Sequence, residues 1–261
     1  MSTQNLDGAF ITKTDKSIKI YQREKIDFEL TIAKVDWTPK QQEVREGIKH
    51  QDTKYVMIKG GSGTSKTFLS MAVGLEMLNA GRIKEIVLVR TICESGEISL
   101  GSLPGEKDDK IAPFMAPFMD KLQQLLPHKQ DIKKLMDDKR IICLPINYLR
   151  GREFNACYCI FDEAQNANAA EIQTYLTRFG RFSKFILLGD TEQVDYIKGR
   201  RIDSGLQEVY KWYDKEEAVQ NHIRCFKFDL CDVMRDDAVK YIIEQYDLMR
   251  KARDDYRPSS V

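Results

Sequence analysis

The chain has 261 residues, 42% hydrophobic and 31% charged, an ordinary globular composition with enough length for one or two domains and a full α/β core. Lys and Arg total 41 against 40 Asp and Glu, a net charge of +1 that says nothing for or against a polyanionic partner, because a local basic stripe vanishes in the total. No apolar run nears the roughly 18 residues of a membrane span, and residues 1–10 are too polar for a signal peptide, so a cytoplasmic location without membrane contact is expected.

Residues 1–36 read as an N-terminal extension of unassigned role, within which 17–21 and 27–33 alternate apolar and polar side chains and predict two short strands. Trp37-Thr-Pro-Lys then opens a helix, with Thr38 at the N-cap, Pro39 at the first helical position, and Val44 and Ile48 on an inward face. A strand over 55–59 runs into a Gly-rich turn, and the helix that follows over 67–79 is stopped by Gly81. After a strand over 84–89 comes an irregular region, 91–138, with weak helices over 108–126 and 129–138, the first broken by Pro113 and Pro117. Strands over 140–144, 156–161, 184–188 and near 223–229, with helices over 169–179, 204–213 and 236–252, complete the pattern. Strands rich in Val, Ile, Leu and Phe that alternate with helices imply the α/β class, a parallel sheet with helices on both faces. Residues 37–255 are expected to form a single domain, and 256–261 a frayed tail. The six cysteines include no C-x-x-C pair and the three histidines are scattered, so reduced thiols are expected rather than disulfides or a zinc site.

The segment Gly60-Gly61-Ser62-Gly63-Thr64-Ser65-Lys66-Thr67 lies between a strand and a helix, the context that a P-loop requires. Small residues let the backbone curl so that successive N–H groups face phosphate oxygens, and the helix N-terminus adds its positive dipole end. Lys66 is placed to reach the β- and γ-phosphates, and the Thr67 hydroxyl to ligate magnesium. Ser65 stands where the usual pattern has glycine, so the turn there must tolerate a Cβ.

Ninety-six residues beyond Lys66, an apolar strand ends in Asp162-Glu163-Ala164-Gln165. Opposite a phosphate cradle, Asp162 would hold magnesium and Glu163 would polarise the attacking water. The next strand ends in Gly189-Asp190-Thr191-Glu192-Gln193, which a parallel sheet brings to the same edge, where Gln193 could sense the γ-phosphate.

Together these three blocks resemble the first motor domain of superfamily-one helicases, and more closely the PhoH-like ATPase family. The residues that carry the resemblance are Arg90-Thr-Ile-Cys-Glu-Ser-Gly-Glu97, Leu100-Gly-Ser-Leu-Pro-Gly105, Tyr148-Leu-Arg-Gly-Arg152, Asp162 to Asn166, Leu176-Thr-Arg-Phe-Gly180, Gly189 to Asp195, Ser204-Gly-Leu206 and Asp232-Val-Met-Arg235. The resemblance implies a RecA-like P-loop NTPase domain, ATP and Mg2+ as cofactors, and RNA or single-stranded DNA as partner. It also implies a glutamine that reads the adenine edge, for which the spacing to Ile48 favours Gln41 over Gln42. Ser65 and the first 36 residues depart from the family pattern. A compact copy without an added nuclease or RNA-binding domain would suit a virus or a bacterium.

Phosphoryl transfer needs further positive charge on the γ-phosphate. The chain is too short for a second motor domain. The arginine therefore comes either from its own C-terminal part, with Arg235 as the family-matched residue, or from a neighbouring subunit of a homo-oligomer such as a hexameric ring, with Arg178 or Arg235. Arg150 and Arg152 read equally as contacts to nucleic acid and as surface residues paired with acids. Lys198-Gly-Arg200-Arg201 could track a nucleic-acid backbone or be a solvated face. Three function classes remain: an ATPase coupled to nucleic acid and acting as helicase or translocase when assembled, an ATP-driven switch on a protein partner in a phosphate-starvation response, and a small-molecule kinase. The kinase would need neither the Asp-Glu-Ala-Gln strand end nor the Gly-Asp-x-x-Gln turn.

Overall fold

The computed structural model describes residues 26–91, 115–191 and 204–249 in full, with the backbone alone of 4–6, 9–14, 17–22, 107–114, 196–197, 200–201 and 250–255. Its main sheet has six strands, β1 (Tyr55–Lys59), β2 (Glu85–Arg90), β3 (Ile141–Pro145), β4 (Cys157–Asp162), β5 (Lys184–Gly189) and β6 (Ile223–Lys227). Their order is β6-β1-β5-β4-β2-β3, and every neighbouring pair is parallel. β5 therefore separates the strand before the P-loop from the strand that ends in the two acids, in the α/β P-loop fold of RecA type that the sequence predicts.

Alternation along the strands divides the core in two. Ile86, Leu88, Tyr158, Ile160, Ile186 and Leu188 face one layer, and Val87, Val89, Cys159, Phe161, Phe185 and Leu187 face the other. The first layer holds helices α1 (Pro39–Lys49), α2 (Lys66–Asn79), α3 (Lys107–Leu125) and α4 (Lys129–Asp137). On the other face lie a 3-10 turn at Ile146–Leu149, helix α5 (Ala169–Leu176) and helix α6 (Leu206–Tyr213). A short α7 (Glu216–Gln220) and a long α8 (Asp237–Asp255) flank β6 in the chain. Buried tyrosines tie helices to strands: the Tyr175 hydroxyl donates to the carbonyls of Cys159 and Ile186, both at 2.9 Å.

Two local expectations are corrected. α3 runs unbroken through Pro113 and Pro117. Its buried positions Met115, Phe118, Leu122 and Leu125 recur at helical spacing. Each such burial contributes about 1.5–3 kcal/mol, and the four together offset the roughly 3 kcal/mol that each of the two interior prolines costs. Residues 27–33 are not a strand. Ile26 and Leu30 are buried in the first core layer, and Leu30 N–H donates 3.0 Å to the Asn79 side-chain carbonyl, so a helix side chain takes the place of a ladder partner. The expected strand over 17–21 is present as Ser17–Gln22, in a three-stranded antiparallel sheet with Gln4–Leu6 and Ala9–Thr14. Residues 256–261 lie outside the described residues.

Candidate active site

The site lies at the C-terminal edge of the sheet, where β1, β4 and β5 end. Residues 60–65 leave β1 and enter α2. Gly60 is packed so tightly that a Cβ there would lie 2.7 Å from the Cβ of Phe228, and Gly63 has φ +81°. Ser65, the helix N-cap, sits in the left-handed region at φ 62°, ψ 20°, so the one departure from the P-loop pattern falls where a Cβ is strained. Thr64 Oγ1 donates to the Gly61 carbonyl at 2.8 Å and fixes the turn. A Cβ on Gly61 would meet nothing within 4 Å, and Gly61 is partly and Ser62 fully exposed.

Lys66 Nζ donates to the carbonyls of Gly60 at 2.5 Å and Gly61 at 2.9 Å. Burial lowers the pKa of its ammonium, while Asp190, Glu163 and Asp162 nearby pull it back up. Thr67 Oγ1 donates to Asp162 Oδ1 at 2.7 Å, a buried bond that joins the head of α2 to the end of β4 across β5. A hydroxyl and a carboxylate are hard oxygen donors, the set that magnesium accepts.

Glu163 is also left-handed at φ 55°, and its side chain is 46% exposed. Two groups hold its carboxylate. Gln165 Nε2 donates to Oε2 at 2.5 Å, and the guanidinium of Arg90, at the end of β2, lies 3.8 Å from Oε1. The same arginine is 3.9 Å from Asp162. Gln165 Oε1 in turn accepts from the Asp190 N–H at 3.1 Å, which links the acid pair to the turn after β5. Gln193 lies outside the described residues.

Around the other side of the P-loop, the Met234 N–H donates to the Gly63 carbonyl at 3.0 Å. This places Arg235 so close that a Cβ on Gly63 would lie 3.1 Å from its Cγ. Arg235 thus meets the P-loop of its own chain. Arg178 does not: its carbonyl accepts from Phe154 N–H, before the start of β4, roughly 20 Å from the strand end that carries Asp162.

The capping box of α1 separates the two glutamines. Gln41 is buried, its Oε1 accepts from Thr38 N–H, and its Nε2 has no partner. Gln42 is exposed and donates to Glu46. A buried amide donor left unpaired costs about 1–3 kcal/mol and is suited to an acceptor on a ligand, as an adenine edge offers. Trp37 stands beside this helix, stacked under the Arg45 guanidinium at 4.7 Å and 5.9 Å from the Phe68 ring of α2.

Sequence reasoning overlooked Arg90 as a site residue, together with Gln165 as a link and the buried Asp232, which accepts from Thr38 Oγ1 at 3.5 Å. Arg90 had a usable signal, since it ends an apolar strand as Asp162 does. The five described cysteines are free thiols, and those of Cys143, Cys157 and Cys159 are buried. Among the described residues no helix is long and apolar enough to cross a membrane.

A family model described as PhoH-like protein matches residues 35–247. A PhoH-like protein of Bacillus subtilis is 37% identical over 210 residues, 79% of this chain and 62% of that protein. One from Mycobacterium tuberculosis is 36% identical over 72% of this chain and 51% of its own length. The chain thus spans between half and two thirds of these relatives. Among solved structures, the SWI2/SNF2 ATPase core domain of Sulfolobus solfataricus superposes over 68% of this chain and 34% of that one, with a TM-score of 0.40 and 16% identity, too distant a likeness to carry any function.

Proposed function

This chain belongs to the PhoH-like family, and we propose that it is a magnesium-dependent ATPase whose turnover is coupled to single-stranded nucleic acid. The observation that carries this reading is the buried 2.7 Å bond between Thr67 Oγ1 and Asp162 Oδ1, with the half-exposed carboxylate of Glu163 next in sequence. It joins a phosphate-binding loop to a carboxylate at one point.

In this reading Gly60, Gly61, Ser62, Gly63, Thr64 and Ser65 present backbone N–H groups to the phosphates, and Lys66 leaves the loop carbonyls for the β- and γ-oxygens. Thr67 and Asp162 hold magnesium, which when bound neutralises phosphate charge as a Lewis acid. Glu163, held by Arg90 and Gln165, orients and deprotonates the attacking water. Arg235 supplies positive charge from within the chain, and Gln193 follows the β5 turn to sense the γ-phosphate. Gln41 uses its unpaired Nε2 to select adenine. Strand separation, if it occurs, belongs to a homo-oligomer of such chains, in the cytoplasm.

The test is steady-state phosphate release with and without single-stranded RNA, in wild type and Glu163→Gln. Magnesium-dependent turnover that falls by about 10²–10⁴-fold in the variant, and rises several-fold with RNA, is expected. No magnesium-dependent turnover under any condition refutes the ATPase reading. Turnover indifferent to both RNA and single-stranded DNA replaces the nucleic-acid coupling with a protein-directed switch.

A further inference from the structure

The turn after β3 has a composition that the nucleotide site does not use. Ile146 and Leu149 are buried in the second core layer, while Asn147, Tyr148, Arg150, Gly151, Arg152 and Glu153 are exposed. The chain thus anchors two aliphatic side chains and turns an aromatic ring and two guanidinium groups outward. Tyr148 is 49% exposed, although burying an aromatic ring would be worth more than burying either neighbour. Arg150 and Arg152 make no ion pair with any described carboxylate, and Glu153 is the one acid in the stretch. Gly151 adopts φ +75° with open space around it, so the backbone between the two arginines can be approached closely.

We propose that the exposed ring of Tyr148, with Arg150 and Arg152, is a contact for single-stranded nucleic acid, the ring stacking on a base and the guanidinium groups holding the adjoining phosphates. This deepens the nucleic-acid part of the function proposed above and rests on it. The chemistry fits a single strand: an exposed aromatic face accepts any unpaired base, and unpaired arginines track the backbone. An apolar protein partner would leave both arginines unmatched.

The placement supplies a route to the ATP site. β3 lies two strands from β4, about 10 Å across the sheet. Its 3-10 turn packs against α5. Ile146 and Leu149 share a core cluster with Ile172 and Tyr175 of α5 and with Phe161 and Ala164, which flank the acid pair. A strand that pulls on Tyr148 therefore loads the helix that leads away from Glu163.

The test is fluorescence anisotropy with a labelled single-stranded oligouridine, on wild type, Tyr148→Ala, Tyr148→Phe and Arg150→Ala/Arg152→Ala, with thermal unfolding of each as a check on folding. Tyr148→Ala is expected to weaken binding about tenfold, and Tyr148→Phe to restore it, because the stacking face is kept. The double arginine variant is expected to lower the slope of log affinity against log salt by about 1.4, the share of two phosphate contacts. A 4-thiouridine oligomer should crosslink to the peptide that contains Tyr148. Wild-type binding that all three variants match, or crosslinks confined to other peptides, would overturn this site and leave the nucleic-acid reading intact. Failure of the wild type to bind any single strand would instead overturn that reading, and this site with it.

Discussion

Two lysines at opposite edges of the sheet, Lys184 buried and Lys66 partly so, make the same kind of bond to different ends. Lys66, at the C-terminal edge, donates to the carbonyls of Gly60 and Gly61, six and five residues away in its own loop. Lys184, at the N-terminal edge, donates to His50 at 2.7 Å and Thr53 at 2.6 Å, more than 130 residues away. Burial lowers both ammonium groups. Around Lys66 three carboxylates oppose that effect; around Lys184, held down to about 8, Arg82 and Arg224 add to it and Asp52 opposes it. A bond to the lysine's own loop can be exchanged for a ligand without loosening the fold. A bond between distant segments cannot.

Backbone strain follows the same division. Lys139, Ala156, Phe182 and His222 take positive φ one or two residues before β3, β4, β5 and β6, where each turns the chain into a strand. At the other edge Ser65 and Glu163 take positive φ where a strand hands over to a helix or a 3-10 turn. The first group shapes the sheet; the second positions groups proposed to act on the nucleotide.

Substitutions can break this comparison. The largest effect is expected from Lys66→Met: phosphate release should fall by at least about 100-fold, with the melting temperature little changed, because the half-exposed carbonyls of Gly60 and Gly61 can turn to water. Retained turnover would end the case for Lys66 as the phosphate ligand. Lys184→Met should do the reverse, costing about 1–3 kcal/mol of stability by leaving the buried Thr53 carbonyl without that donor while turnover persists. Its pH dependence carries a further sign. The folded-state value, about 8, lies below the unfolded value of 10.5, so the unfolded chain holds more protons between them and wild-type stability gains as pH rises through that window. Urea unfolding across it should show wild type gaining on Lys184→Met; parallel curves would contradict the burial of a charged lysine. The smallest effect is expected from Ser65→Gly, which relieves a left-handed Cβ and should add up to about 1 kcal/mol after the entropy of the added glycine. Ala156→Gly should gain similarly. The two should separate in KM for ATP, which only the Ser65 variant shifts; an equal response would remove the distinction between the two kinds of strain.

Much of the fold was legible in the sequence because its strands are short apolar runs that need little context. The strand expected over 55–59 is the strand observed, and the others differ by one or two residues at their ends. The misreadings have tertiary causes. Pro113 and Pro117 argue against a helix locally, yet the packing of Phe118 and Leu122 keeps α3 whole. Residues 27–33 alternate like a strand, but the Asn79 side chain pairs with Leu30 instead.

The candidate site divides in the same way. Spacing alone singled out Lys66, Thr67, Asp162 and Glu163, because phosphate and magnesium chemistry demands those residue types at the ends of strands and the starts of helices. It favoured Gln41 over Gln42 through the spacing to Ile48, and the side of α1 that meets the core is what buries Gln41 and exposes Gln42. It left Arg235 of the same chain and Arg178 or Arg235 of a neighbouring subunit as alternatives, and only the chain's return past Gly63 brings Arg235 against the P-loop of its own chain. Arg90 lies beside both acids because β2 and β4 are neighbours, a pairing that no local pattern encodes. Residue chemistry is a property of the chain and could be read along it; proximity between residues up to 194 apart is a property of strand order, and only the packed sheet decides it.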